Sequence, residues 1–490
     1  PALEMTPIDS GYDFSKMDLT FVCTEKQCQL HFDIEYSTAL FAEETVERFI
    51  SYFDHIISQV CVSASVTLGE IEVLSVAERD QIIQVFNNTK KPISRELCYH
   101  ELFEQQVSYQ PEAIAAIHNE HTISYHKLNR VANQIAHYLN AQDVQPGEIV
   151  ALCYERGLSL LAGIMGVLKT GASYVAIDDE YPLKRSGEIV KQSESRIALV
   201  QGTKEADFNS LLQEIDTLEH VLAATEIDDF KKQLSRYSVE NPERRFSTET
   251  IAYLIYTSGT TGVPKGIMVH QLGMLNHMFA LISELGLSTN DVMAQTASCS
   301  SDIFVVQLLL NLITGGAVSI IDKEAVLDPR ALYQQMKGTS VTHMEIVPSL
   351  LTAFLETMGK RNKRELPALK AMLSMGEAIK PATAQKWYSL YPEVTLYNCY
   401  GPAEASDDVS MQKIDPAQLR EGKPVSIGKP LENLHIYIMD EKLKLCPVGV
   451  RGEICVSGIA VGKGYWKEEA KTKAAFVDNP LHELIRDDDY

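Results

Sequence analysis

The segment 254–266, LIYTSGTTGVPKG, gathers small and hydroxylated residues around one lysine. Backbone N–H groups exposed by glycine, hydroxyl groups and the point charge of Lys265 are all donors that bind phosphate. The segment is neither of the common phosphate loops: Lys265 is followed by glycine rather than serine or threonine, and G-x-G-x-x-G is absent. A surface loop of small residues is the alternative interpretation. The density of threonine and the Pro-Lys-Gly sequence favour phosphate binding.

The elements that must position this loop follow from the spacing of the apolar residues. From about residue 98, strand patterns such as 147–154 and 251–257 alternate with helical patterns such as 271–285. This rhythm predicts an α/β fold with mostly parallel sheets and helices on both faces, in which ligands bind beyond the ends of strands. After about residue 425, short alternating strands predict a small antiparallel unit. Further strands are predicted at 172–178, 291–298, 317–322, 341–347, 369–375 and 394–400.

The first 85 residues have a different pattern from the rest. Alternation at 17–25 and 28–37 predicts a hairpin, and helical spacing at 39–61 predicts a helix. A hairpin and a helix bury too little surface to be stable alone. We therefore expect this piece to be the end of a larger domain, followed by a linker helix.

Charge and cysteine content exclude several classes of protein. The 490 residues carry 66 acidic and 44 basic side chains, a formal net charge of -22, which disfavours binding to nucleic acid or to an anionic membrane. The nine cysteines are scattered and form no C-x-x-C motif, as in a reduced cytoplasmic protein rather than a disulfide frame or a zinc site. No stretch is long and apolar enough to cross a bilayer.

Five segments in order resemble the motifs of adenylate-forming enzymes, the superfamily of acyl-CoA synthetases, firefly luciferase and the adenylation domains of nonribosomal peptide synthetases. The resemblance covers residues 98–490 and implies two stacked, mostly parallel sheets with flanking helices and a small antiparallel β-barrel-like unit. Residues 1–85 are similar to the C-terminal end of a condensation domain, without its H-H-x-x-x-D-G motif. The five segments are ISYHKLNRVANQIAHYL (123–139), LKTGASYVAIDDEYP (168–182), YTSGTTGVPKG (256–266), NCYGPAEA (398–405) and GEICVSGIAVGKGYW (452–466).

The resemblance implies ATP and Mg²⁺ as cofactors. Tyr400 would stack on adenine and Asn398 would hydrogen-bond its edge, although both residues also suit ordinary loop packing. Lys265 and Glu404 are the implied catalytic residues, with Glu404 holding the metal. Ala403 departs from the family, which usually has a threonine whose hydroxyl serves the α-phosphate. The implied nucleotide-binding residues are Thr257, Ser258, Gly259, Thr260, Thr261, Gly262, Lys265, Gly376, Asn398, Tyr400, Gly401 and Ala403.

The resemblance also implies an α-amino acid as the substrate. Asp302 matches the family aspartate that pairs with the substrate α-ammonium, a charge-assisted contact. A helix N-terminal acid that stabilises the helix dipole is the alternative role for Asp302. The implied side-chain pocket consists of Ile303, Val306, Glu345, Leu373, Met375, Cys399, Asp407 and Asp408.

Three acids in an otherwise apolar pocket are costly unless a cation meets them, which predicts a basic or amine-bearing substrate side chain. Alternatively, Asp407 and Asp408 point to solvent on a loop and leave Glu345 to hydrogen-bond a polar substrate. Met375 replaces a common glycine and would shorten the pocket.

The chain stops at IRDDDY, before the Tyr-x-Thr-Gly-Asp motif, the hinge and the catalytic lysine of the family, so we expect weak adenylation by this chain alone. The implied partners are a carrier-protein domain and an upstream condensation domain. Two alternatives stay open: an acyl- or aryl-acid ligase of the same superfamily, and a non-catalytic adenylation-like platform, which Ala403 favours.

Overall fold

The structure is a computed structural model and describes residues 15–243, 246–257, 265–359 and 365–485. The chain divides into two units, residues 1–86 with 437–454 and residues 87–436 with 455–490. None of the helices in the described ranges combines the length and the apolar character needed to cross a membrane.

The smaller unit begins with the predicted hairpin and helix. Strands β1 (Leu19–Lys26) and β2 (Gln29–Tyr36) pair antiparallel, and helix α1 (Glu43–Val62) follows. Aromatic rings join them: the ring of Phe53 on α1 lies 5.4 Å from that of Phe21 and 4.9 Å from that of Phe32. Helix α2 (Val76–Asp80) and one π-helical turn at Gln81–Val85 complete the N-terminal part of this unit.

The larger unit contains two sheets. One has the strand order β10-β9-β6-β5-β7-β8 and the other the order β17-β16-β15-β14-β13-β11-β12-β3-β4. Neighbouring strands are parallel in the middle of each sheet and antiparallel at β9–β10, β3–β4 and β15–β16–β17. The strands are β3 (Ile114–His118), β4 (His121–Ser124), β5 (Ile149–Tyr154), β6 (Ser173–Asp178), β7 (Ile197–Val200), β8 (His220–Ala223), β9 (Ile251–Thr257), β10 (Lys265–His270), β11 (Val292–Gln295), β12 (Ala317–Ile320), β13 (His343–Ile346), β14 (Ala371–Ser374), β15 (Thr395–Tyr400), β16 (Ser410–Lys413) and β17 (Lys429–Pro430).

Helices separate most of these strands. They are α3 (Tyr99–Tyr109), α4 (Tyr125–Ala141), α5 (Leu158–Thr170), α6 (Leu183–Ser193), α7 (Glu205–Glu214), α8 (Ile227–Gln233), α9 (Gln271–Leu285), α10 (Ile303–Leu309), α11 (Lys323–Leu327), α12 (Pro329–Gly338), α13 (Pro348–Gly359), α14 (Pro381–Leu390) and α15 (Glu469–Ala475). Short 3-10 turns occur at Gly202–Lys204, Leu310–Ile313, Ala403–Ala405, Pro416–Gln418 and His482–Leu484. Strands β18 (Leu434–Met439) and β19 (Glu453–Gly458) form a two-stranded sheet where a small strand unit was predicted.

One hydrophobic core takes residues from both large sheets, among them Leu152 of β5, Val318 of β12 and Leu373 of β14. Apolar residues of strands β13, β14 and β15 pack against residues of helices α12, α13 and α14 in a second core cluster. The predicted α/β fold with mostly parallel sheets is confirmed, and the predicted strands at 251–257 and 394–400 match β9 and β15 to within one residue.

Candidate nucleotide and side-chain site

A cavity of about 720 Å³ opens at the carboxyl ends of β14 and β15. Four residues that the sequence assigned to nucleotide binding line it: Gly376, Asn398, Tyr400 and Gly401. The parallel register of Ser374 with Asn398 brings the ends of the two strands together. The remaining lining comes from residues 377–381, from Cys399, from 422–425 and from Ile427. Its volume and its mainly apolar wall suit a planar heterocycle.

Asn398 and Gly401 are fixed by the chain around this cavity. The side-chain amide of Asn398 donates to the Ser426 carbonyl at 2.8 Å, so one of its two N–H donors is engaged. A Cβ added to Gly401 would lie 1.7 Å from the carbonyl oxygen of Asp407. Only glycine permits this approach, because the obstacle is backbone.

Glu404, the predicted metal ligand, lies in the 3-10 turn Ala403–Ala405 beside a segment that runs along β10. Its Oε1 accepts a hydrogen bond of 2.7 Å from the Tyr465 hydroxyl, and its carbonyl accepts one of 2.8 Å from Gly462 N–H. The Tyr465 ring lies 4.7 Å from the Lys265 ammonium. Tyr465 therefore connects the two residues predicted to be catalytic. One anchored carboxylate fits Mg²⁺, which is commonly held by one or two carboxylates together with phosphate oxygens and water.

The phosphate loop itself is only partly described. Thr257 ends β9 and pairs with Lys265 at the start of β10, so the two ends of the loop are neighbours. Ser258, Gly259, Thr260, Thr261 and Gly262 lie outside the described residues. Ala403, which stands where the family usually has a threonine, is buried and has no hydroxyl group for the α-phosphate.

Asp302 stands at the start of helix α10. Its Oδ1 accepts a hydrogen bond of 3.1 Å from Ile303 N–H and one of 3.3 Å from the Ser301 hydroxyl. Burial raises the pKa of the Asp302 carboxyl above its usual value, against these hydrogen bonds. The contact with the helix N-terminus and the pairing with an ammonium are compatible uses of this one side chain, because a carboxylate accepts several hydrogen bonds.

The predicted side-chain pocket contains a group of buried acids. One carboxylate oxygen of Glu345, the Sγ atom of Cys399 and one carboxylate oxygen of Asp408 all lie within 4.8 Å of one another. Glu345 is on β13 and Cys399 is on β15. Asp407 and Asp408 are 1% and 0% exposed, so the alternative in which they point to solvent is wrong. Ile303, Val306, Leu373 and Met375 are buried as well.

Most oxygens of these acids accept no hydrogen bond. One oxygen of Glu345 and both oxygens of Asp407 and Asp408 have no hydrogen-bond donor among the described residues. Burial raises the pKa of the Glu345 carboxyl well above its usual value, and the nearby charges of Asp408 and Asp302 raise it further. Burial and the charges of Asp302, Asp408 and Glu345 raise the pKa of Asp407 in the same way. A buried carboxylate without a partner calls for a proton or a cation.

An unusual backbone turn places Asp407 in this group. Ser406 and Asp407 both have left-handed conformations, with φ values of 63° and 89°. Consecutive left-handed residues other than glycine are strained, and such strain concentrates at functional sites. The Ser406 hydroxyl donates to the Ala460 carbonyl at 2.6 Å and holds the turn.

Two residues of this region were missed by the sequence reasoning. Tyr465 lies in the last of the five motifs, which implied no role for it. His277 on α9 is 1% exposed and faces the acids, with its Nε2 3.5 Å from an oxygen of Asp408 and its Nδ1 3.9 Å from one of Asp407. A histidine in the apolar run LNHMFALI was the only available signal, and a core histidine gives the same signal.

Comparison with known families identifies the class of protein. The sequence signature of the AMP-binding enzymes matches residues 103–466, and that of the condensation domain matches residues 3–83. The chain therefore belongs to the family of AMP-binding enzymes. It has the arrangement of a nonribosomal peptide synthetase, with an adenylation domain preceded by the C-terminal part of a condensation domain, and the resemblance noted from the motifs is confirmed.

The similar curated proteins are large synthetases. Tyrocidine synthase 3 of Brevibacillus parabrevis is 34% identical over 476 residues, which are 96% of this chain and 7% of that protein. Gramicidin S synthase 2 of Brevibacillus brevis is 32% identical over 481 residues, which are 98% of this chain and 10% of that protein. The chain thus spans between 7% and 10% of the length of these two relatives.

Solved structures share the fold. The nonribosomal peptide synthetase FmoA3 gives a TM-score of 0.83 at 23% identity, over 94% of this chain and 48% of that one. The N-terminal subdomain of Klebsiella oxytoca NpsA, in complex with 3-hydroxyanthranilyl-AMSN, gives a TM-score of 0.66 at 22% identity, over 78% of this chain and 92% of that one.

Proposed function

We propose that this chain activates an α-amino acid with a cationic side chain, using ATP to form the aminoacyl adenylate. Membership of the AMP-binding family supports the reaction class. The observation that carries the choice of substrate is the buried group of Glu345, Asp407 and Asp408, most of whose oxygens lack partners among the described residues. An ammonium group would supply the missing donors and offset the charge.

In this proposal the chain holds two reactants in one orientation. The cavity around Tyr400 binds adenine, and Asp302 binds the α-ammonium of the amino acid. One oxygen of the substrate carboxylate then forms a bond to the α-phosphorus, while the bond from that phosphorus to the bridging oxygen breaks and pyrophosphate leaves. Orientation of this kind lowers the barrier because it removes the entropic cost of bringing the reactants together.

Lys265 and the loop before it offset the negative charge of the phosphates. Glu404, oriented by Tyr465, would hold Mg²⁺, which offsets phosphate charge when it is bound. Ala403 leaves one expected donor to the α-phosphate unfilled, and a backbone N–H is the proposed replacement.

We further propose that the aminoacyl group of the adenylate is transferred to the phosphopantetheine thiol of a carrier-protein domain, forming a thioester and releasing AMP, and that a condensation domain uses this thioester. The condensation signature at residues 3–83 and the peptide-synthetase relatives support this assignment. The particular amino acid is left open within the cationic class.

Binding of two matched analogues tests the substrate class. Sulfamoyl-adenosine analogues of ornithinyl and norleucyl adenylate have amino-acid side chains of equal length, and only the ornithinyl side chain is charged. We expect the ornithinyl analogue to bind this chain about 30-fold tighter by isothermal titration, about 2 kcal/mol, which is typical of a charged hydrogen bond. Equal affinities would contradict the cationic assignment.

An acyl- or aryl-acid ligase is the second candidate, because the NpsA complex holds an aryl adenylate mimic on the same fold. Asp302→Ala separates the two. Loss of the α-ammonium partner should weaken binding of the ornithinyl analogue about tenfold or more and leave a benzoyl analogue unchanged. A benzoyl analogue that binds the unmodified chain tighter than the aminoacyl analogues would favour the second candidate. No measurable binding of any analogue would favour a non-catalytic platform.

A further inference from the structure

His277 borders the acid group from helix α9, which contains none of the predicted pocket residues. It lies on α9, and its ring faces Asp407 and Asp408 at 3.9 and 3.5 Å. Its Nε2 atom is buried and has no hydrogen-bond partner among the residues that the structure describes. Both separations exceed a hydrogen bond, as is common in sites without their ligand.

Helix α9 holds the backbone of His277 in place. The adjoining Asn276 donates to the Glu432 carbonyl at 2.8 Å and accepts from the Asn433 amide at 2.9 Å. His277 therefore has a fixed backbone, and only its ring is free to adjust toward the acids.

The other side chains named in this group are poorer partners for Asp407 and Asp408. Glu345 on β13 and Asp302 before α10 are themselves acids, and Cys399 on β15 is a weak donor. An imidazole N–H is a full hydrogen-bond donor. His277 therefore borders the two aspartates with a nitrogen donor, which the acids and the thiol of the group do not supply.

We propose that His277 is a specificity-determining residue, which orients Asp407 and Asp408 as hydrogen-bond acceptors so that the pocket selects a cationic side chain over its neutral isostere. The proposal rests on the proposed function and deepens it. Without the imidazole, the two aspartates would lose this donor, and less well oriented acceptors would discriminate less between an ammonium and an apolar side chain.

The test uses the ornithinyl and norleucyl analogues on this chain and on two variants. His277→Leu fills part of the same space with an apolar side chain and removes both ring nitrogens. The preference for the ornithinyl analogue should therefore fall at least tenfold. His277→Gln keeps one N–H donor and should retain most of the preference. The glycyl analogue, which does not reach the pocket, should bind all three proteins within twofold.

The outcomes distinguish the two proposals. An unmodified chain without any preference for the ornithinyl analogue refutes the proposed substrate class. An unmodified chain with the preference, together with an unchanged preference in His277→Leu, refutes only the role of His277. Should His277→Leu fail to fold, ¹⁵N NMR of the histidine rings decides, with the His277 signal assigned through His277→Gln. The signal should shift with the ornithinyl analogue and stay in place with the norleucyl one, and equal responses would refute the role.

Discussion

At the scale of single residues, the main feature of the site is its group of buried, unpaired carboxylate oxygens. Glu345, Asp407 and Asp408 are almost completely buried, and the described side chains give most of their oxygens no partner. Burial without a partner normally counts against a residue in a stable core. Under the proposed function, the protein maintains these acids for a ligand at some cost to its own stability.

The raised pKa values of Glu345 and Asp407 predict opposite pH trends for stability and for binding. Between the unfolded-state pKa of a carboxyl, about 4, and its raised folded-state pKa, the folded chain binds more protons, so its stability falls as pH rises. Binding of the ornithinyl analogue needs ionised carboxylates, so its affinity should increase over the same range.

Glu345→Gln tests this linkage at one residue. The neutral isostere removes one titrating group, so the loss of stability from pH 5 to pH 8 should be smaller than in the unmodified chain, and the preference for the ornithinyl analogue should drop about tenfold. Thermal unfolding and calorimetric titration give the two readouts. Glu393→Gln, at an exposed acid, should change neither. If the stability of Glu345→Gln changed with pH in parallel with that of the unmodified chain, the Glu345 carboxyl would not titrate between pH 5 and pH 8.

At the scale of elements, the ends of β13, β14 and β15 bring together residues that lie more than 50 positions apart in the chain. Parallel pairing aligns Glu345 with Leu373 and Leu373 with Tyr397. The following turn then folds back, so that Asp407 meets Gly401 closely enough to exclude any side chain.

Gly401→Ala should therefore destabilise the fold by about 1–3 kcal/mol or more, because the new methyl group would meet backbone and not a movable side chain. Gly338→Ala is the matched control, since nothing lies within 4 Å of its added Cβ. Denaturant unfolding measures both. Equal free energies of unfolding for the two variants would mean that the turn after β15 can shift to accommodate the methyl group at little cost.

The segment 462–466 is a second positioning element, because it pairs with β10 and carries Tyr465 to Glu404. Tyr465→Phe removes the 2.7 Å hydrogen bond and keeps the ring beside Lys265. We expect the Mg²⁺ concentration needed for half-maximal binding of AMPPNP to rise about tenfold, in line with the loss of a hydrogen bond to a charged group.

Adenosine binding provides the control for Tyr465→Phe, since adenosine has no phosphate and should bind the variant and the unmodified chain alike. An unaltered Mg²⁺ dependence would refute the positioning role of Tyr465.

Much of this arrangement could be predicted from the sequence, and the physical reasons for the remainder are specific. The strands follow from local pattern, and the candidate roles of Glu345, Asp302 and Tyr400 follow from motif order. His277 and Tyr465 could not be predicted, because their roles depend on contacts with residues 131 and 61 positions away. The burial of Asp407 depends on two left-handed residues, Ser406 and Asp407, that lack glycine as a signal.

At the scale of the whole molecule, the net charge of -22 opposes the approach of a nucleotide that is itself highly negative. Salt screens this repulsion, so the association rate of AMPPNP should rise about two- to fivefold when ionic strength increases from about 10 to about 150 mM. Stopped-flow fluorescence with a labelled nucleotide measures the rate. A rate that falls with salt would show that the local donors around Lys265 outweigh the global field.

The placement of the acids at strand ends has a consequence for how such proteins diversify. The hydrogen bonds of β13, β14 and β15 join main-chain atoms, so the identity of the side chain at Glu345 is not needed to build the sheet. The cavity proposed for the nucleotide lies at the ends of β14 and β15, and Glu345 is not part of its lining. A lineage could therefore change the building block that it admits by a few point substitutions while inheriting the catalytic frame intact, and a peptide product could acquire or lose a positive charge in one evolutionary step.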